Sequence, residues 1–76
     1  MSNKTYERIL VLESLKRRPA SNYGNPAWEV TFTDGTVART QANASISYAA
    51  DNPEYRGVPL RVEFTAAGRI SHWGIA

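Results

Sequence analysis

Two stretches of the chain alternate apolar and polar residues on the same plan. Trp28-Glu-Val-Thr-Phe-Thr-Asp-Gly-Thr-Val-Ala-Arg39 and Leu60-Arg-Val-Glu-Phe-Thr-Ala-Ala-Gly-Arg-Ile-Ser-His72 each carry an alternating run, a tight turn ending in glycine, and a second alternating run. Period-two alternation around a glycine turn predicts a β-hairpin with one buried face.

Register decides the turn length. In the first hairpin a three-residue turn, Thr33-Asp34-Gly35, pairs Phe32 with Thr36, Val30 with Ala38 and Glu29 with Arg39. Trp28, Val30 and Phe32 then share a face and an ion pair forms on the other. A two-residue turn would set Val30 against Arg39. In the second hairpin a three-residue turn, Ala66-Ala67-Gly68, pairs Phe64 with Ile70, Val62 with His72 and Leu60 with Gly74 on the inner face. Glu63 then faces Ser71, and Arg61 faces Trp73, on the outer one.

The remaining segments are shorter or less regular. Residues 6–16 hold the continuous apolar run Ile9-Leu-Val-Leu12, and no single helical stripe collects Ile9, Leu10, Val11, Leu12 and Leu15. A strand buried on both faces fits better than a helix. Residues 17–26, with two prolines and one glycine, read as a loop that carries Tyr23. Between the hairpins one short helix is predicted over 43–50, with Asn43 as N-cap, Ile46 and Ala50 on one face, and Asn52-Pro53 as the stop.

The order strand, strand, strand, helix, strand, strand is that of a small five-stranded OB-like barrel, mainly β, with one short helix between strands 3 and 4. An SH3-like barrel is the alternative, with 17–26 as its long first connection. Residues 1–76 are expected to form a single domain, with 1–5 flexible. The expected core is Ile9, Val11, Val30, Phe32, Ile46, Val62, Phe64 and Ile70.

Gly24-Asn-Pro-Ala-Trp-Glu-Val, Thr33-Asp-Gly-Thr, Arg39-Thr40, Tyr48, Asn52-Pro-Glu-Tyr-Arg-Gly57 and Gly68-Arg-Ile-Ser-His72 span most of residues 24–72. In this combination the chain resembles small uncharacterised proteins of actinobacteria and their phages. The resemblance implies a fold and a phage-like setting. It implies no activity and no site residues, because the shared positions are turn and core residues.

Composition narrows the chemistry. Seventy-six residues without cysteine allow neither a disulfide framework nor thiolate chemistry, and a single histidine cannot build a His-rich metal site. His72 has no serine or carboxylate placed beside it by local spacing, so a core or rim role is expected. Asp51 and Glu54 are separated by Asn52-Pro53, which reads as a turn and not an acid/base dyad. The five glycines are isolated, unlike a phosphate loop. No catalytic residue, metal ligand or cofactor is therefore expected, and the chain reads as a non-enzyme. No apolar run approaches the roughly 20 residues of a membrane span. Met1-Ser-Asn-Lys-Thr-Tyr-Glu-Arg8 lacks a signal-peptide pattern, so a cytoplasmic location is expected.

Binding remains. Net charge is +2, unevenly spread. Residues 1–18 hold five cations against Glu7 and Glu13, whereas residues 19–76 hold four arginines against five carboxylates. Lys16-Arg17-Arg18 is the densest basic strip. With Trp73 expected to face outward beside Arg61, the candidate binding residues are Arg61, Trp73, Lys16, Arg17, Arg18 and Arg39. An outward tryptophan beside arginine suits a protein anchor or a stacked base. The modest charge favours a small protein-binding module, such as a phage-encoded factor that acts on a host protein or pairs with itself. A single-stranded nucleic-acid-binding OB-like domain is the alternative.

Overall fold

A computed structural model describes residues 4–20 and 24–76. Among these residues five strands are present: β1 (Tyr6–Arg18), β2 (Ala27–Phe32), β3 (Val37–Arg39), β4 (Pro59–Phe64) and β5 (Ile70–Ile75). They form one antiparallel sheet in the order β3-β2-β1-β4-β5, so the longest strand lies at its centre. β1 pairs with β4 through residues 6–11 and with β2 through residues 12–18. The mainly β class expected from the alternation is what the chain adopts. The sheet is not closed into a barrel; its edges meet at one isolated parallel bridge, Thr40 to Ile70, where the Gln41 amide donates to the Ile70 carbonyl at 2.7 Å.

β1 follows neither simple period because it carries a bulge. Leu12 opposes Phe32 and Ser14 opposes Thr31, which leaves Glu13 as the extra residue. Leu10 and Leu12 are buried before the bulge, and Leu15 opposes buried Val30 after it. Ile9 and Val11, expected in the core, are not there: Ile9 is 55 % exposed and Val11 half-buried. Only one face of the sheet is covered, so alternation sorts even the continuous apolar run. The strand also reaches Arg18, which shortens the loop expected from residue 17. Tyr23 and residues 1–3 lie outside the described residues, and so does most of the stretch expected to be flexible.

The first hairpin has the expected register, Glu29 to Arg39 and Val30 to Ala38. Gly35 closes its turn at φ +91°, a left-handed value that glycine adopts at least cost. The second hairpin starts as expected, with Phe64 opposite Ile70 and Gly68 at φ +84°. It then departs. Glu63 opposes His72 and Val62 opposes Trp73, so Ser71 is a second bulge, its hydroxyl donating to the Glu63 carbonyl at 3.2 Å. The extra residue reverses the expected facing of β5. Trp73 turns inward to 1 % exposure, His72 turns out to solvent, and Arg61 opposes Gly74.

The core comprises Leu10, Leu12, Val30, Phe32, Leu60, Val62, Phe64, Ile70 and Trp73 on the sheet, covered by Ala44, Ile46 and Ala50 from the β3–β4 connection. Burying each of the larger side chains is worth about 1.5–3 kcal/mol. The cover is not the expected helix over 43–50. It consists of two 3-10 turns, Ser45–Tyr48 and Pro53–Tyr55. Ala44 occupies the first cap position with no side-chain cap, so Asn43 does not act there. Asn52 caps the second turn by accepting from the Glu54 amide at 3.1 Å. Ile46 and Ala50 are both buried, as their spacing implies, because one tight turn is enough to seat them.

Candidate functional site

One cleft concentrates the chemistry. It has a volume of about 320 Å3 and opens where β1 ends, β2 begins, β3 ends and the β4–β5 turn closes. Arg18, Arg39 and Arg69 line it from three separate elements, with Trp28, Ala27 and Thr40 between them. No carboxylate belongs to its wall among the described residues.

Trp28 is positioned from both ends. Its amide donates to the Thr40 hydroxyl at 3.2 Å, and its carbonyl accepts from the Thr40 amide at 3.0 Å. Its indole Nε1 donates to the Ser47 carbonyl at 2.8 Å, which ties β2 to the first 3-10 turn. Arg17, opposite Trp28 in the β1–β2 ladder, places its guanidinium carbon 5.1 Å from the ring centroid. The indole therefore keeps a fixed orientation with an arginine over one face.

The charges are only lightly neutralised. Arg39 approaches Glu29 at 3.8 Å with both side chains substantially exposed, an ion pair of little energetic weight. Among the described residues neither Arg18 nor Arg69 is paired with a carboxylate. The β1–β2–β3 registers also place Lys16, Glu29 and Arg39 in one cross-strand row. Three arginines lining one cleft with Trp28, and a fourth over its ring, form a site suited to an anion that also has a flat face.

The expected residues divide. Arg18 and Arg39 line the cleft and Arg17 lies over its Trp28; Lys16, in the row of Glu29 and Arg39, takes no part in the cleft wall. Arg61 lies on β4, 4.0 Å from Glu7, and takes no part in the cleft wall. Trp73, expected beside it on the surface, is a core residue whose ring lies nearly perpendicular to that of Tyr55, with centroids 5.8 Å apart. The sequence reasoning missed Trp28 as a site residue and missed Arg69 altogether. Arg69 directly follows the turn glycine, and its place beside Arg39 depends on the meeting of the sheet edges, a non-local feature.

A second polar cluster is structural. Arg8 donates to Asp34 Oδ2 at 2.9 Å and to the Thr36 hydroxyl at 3.1 Å, fastening the β2–β3 turn to β1. The Thr36 backbone N–H and hydroxyl, helped by the Arg8 charge, hold the Asp34 carboxyl below its ordinary pKa. Among the described residues no group of three His, Cys, Asp or Glu side chains is placed to hold a metal ion. None of the helices there is long and apolar enough to cross a membrane.

No protein-family model matches the chain, and no curated protein or solved structure is significantly similar to it.

Proposed function

We propose that this chain is a non-enzymatic binding module with an OB-like barrel architecture, and that its arginine cleft takes single-stranded nucleic acid. The observation that carries the proposal is the convergence of Arg18, Arg39 and Arg69 on one cleft walled by Trp28. Arginines neutralise phosphates, and an indole offers a sequence-tolerant stacking face. Location adds support. OB-folds bind oligonucleotides on strands 2 and 3 and the loops between strands 1 and 2 and between strands 4 and 5. The cleft is bounded by those same segments: Arg18 at the end of β1 with Pro19 and Ala20 after it, Trp28 on β2, Arg39 on β3, and Arg69 after the β4–β5 turn. The parallel bridge of Thr40 with Ile70 fits a partly open OB-like barrel better than a flat sheet.

The first expectation, a small protein-binding module, rests on the modest net charge. The outward Trp73 that was to serve either reading is buried, and the arginine cleft is what favours nucleic acid. A phage-encoded factor remains the setting we propose, from the resemblance in residues 24–72. Fluorescence anisotropy with a labelled single strand of about 12 nucleotides, within the site size of an OB-fold, tests the proposal. Saturable binding, abolished when Arg18, Arg39 and Arg69 are all changed to alanine, is expected. Absence of binding at low salt, or equal binding by the triple variant, would overturn it.

A further inference from the structure

Among the described residues Tyr48 is the most exposed of the large apolar or aromatic side chains, at 64 %. Yet it is not loose. Its hydroxyl donates to the Asn25 side-chain oxygen, and the Asn25 amide donates to the Ala42 carbonyl at 3.0 Å. Ala42 belongs to the wall of the arginine cleft. The residue before Tyr48, Ser47, supplies the carbonyl that holds the Trp28 indole. Two independent links therefore connect this exposed ring to the cleft rim, one through Asn25 and Ala42 and one along the backbone to Trp28.

An exposed tyrosine ordinarily samples several rotamers, and ordering it on binding costs free energy. Here the hydroxyl is tied down in the unbound protein, so the ring is presented in one orientation. A ring fixed beside a phosphate-binding cleft suits a flat, apolar-faced group attached to that phosphate. We propose, resting on the nucleic-acid reading above, that Tyr48 is a second stacking platform and takes the base of a nucleotide beyond the one held in the arginine cleft. The strand then runs from Arg18, Arg39 and Arg69 past Asn25 to Tyr48.

The test compares a trinucleotide, which fills the cleft alone, with a single strand of about 12 nucleotides that reaches both platforms. Tyr48→Ala is expected to weaken the longer strand about tenfold or more, the loss of one stacked base. It should leave trinucleotide affinity and the salt dependence unchanged, because no phosphate-binding group is removed. Tyr48→Phe keeps the ring, loses the tie to Asn25, and should lie between the two. Equal affinity of Tyr48→Ala and the unaltered protein for the longer strand would overturn the proposal. So would an equal loss for both ligands with a lowered melting temperature, since Tyr48 would then act on the fold. Concentration-dependent dimerisation abolished by Tyr48→Ala, with strand affinity intact, would assign the ring to a second copy of the chain. If the unaltered protein bound neither ligand, the nucleic-acid reading itself would fail.

Discussion

The guanidinium carbon of Arg17 sits 5.1 Å from the centre of the Trp28 ring, and the two residues are direct cross-strand neighbours. Adjacent ladder positions on β1 and β2 thus set a charge over the flat ring that lines the cleft. An interaction of this kind at an exposed site is worth about 0.5–1 kcal/mol. Arg17→Ala should lower stability by about that amount and open one face of the indole to water. Steady-state quenching by acrylamide checks this, in a Trp73→Phe background so that only Trp28 emits. Increased quenching is expected; unchanged quenching would show that Arg17 does not cover the ring.

Trp73 tests the β5 register. Its side chain is fully buried, so Trp73→Ala should cost about 3–5 kcal/mol and leave so small a domain largely unfolded. Its indole nitrogen has no acceptor among the described residues, and an unmet buried donor carries a penalty of about 1–3 kcal/mol. Trp73→Phe removes that penalty while leaving a smaller cavity, and should cost much less than the alanine change. Circular-dichroism melts of the two variants decide. A Trp73→Ala protein with an unchanged melting temperature would return Trp73 to the surface.

Thr40 joins the site to the fold. It is buried, donates its backbone N–H to the Trp28 carbonyl, and accepts from the Trp28 amide through its hydroxyl. Thr40→Val keeps the shape and removes that acceptor, at an expected cost of about 1–2 kcal/mol by denaturant titration. Stability equal to the unaltered protein would mean that the hydroxyl does not hold Trp28.

Both hairpin turns, the Glu29–Arg39 pairing and six core positions were legible in the sequence, because short antiparallel hairpins are local and their registers are overdetermined by two faces. The two bulges were not. Glu13 and Ser71 are ordinary strand residues, and what marks each bulge is a pair of core-packed residues three apart, Leu12 with the partly buried Leu15 and Ile70 with Trp73. One missed residue in β5 was enough to turn Trp73 outward and to pair it with Arg61. The cleft was half visible: Arg18 and Arg39 stood out as charge, whereas Arg69 reaches it only through the meeting of the sheet edges at Thr40 and Ile70.

Asp34 gives the fold a dependence on acid. Its folded pKa is lowered, chiefly by the Thr36 N–H and hydroxyl and then by Arg8, so folding favours the ionised form. The resulting stabilisation is complete above the ordinary aspartate pKa, about 4, and is lost as pH falls through the lower folded value. Below about pH 4 the melting temperature should therefore fall more steeply for the unaltered protein than for Asp34→Asn, and the two should converge in acid. Parallel curves would show that the carboxylate is not held by these partners.

The arginine cleft is tested most directly by the salt dependence of single-strand binding, measured for the unaltered protein and for the variant with Arg18, Arg39 and Arg69 changed to alanine. Each phosphate neutralised on a single strand contributes a slope of about −0.7 in log K against log salt. Removing all three guanidinium groups should flatten the slope by about 2 units and weaken binding to all sequences alike. Identical slopes for the two proteins would contradict the assignment of the cleft as the phosphate-binding site.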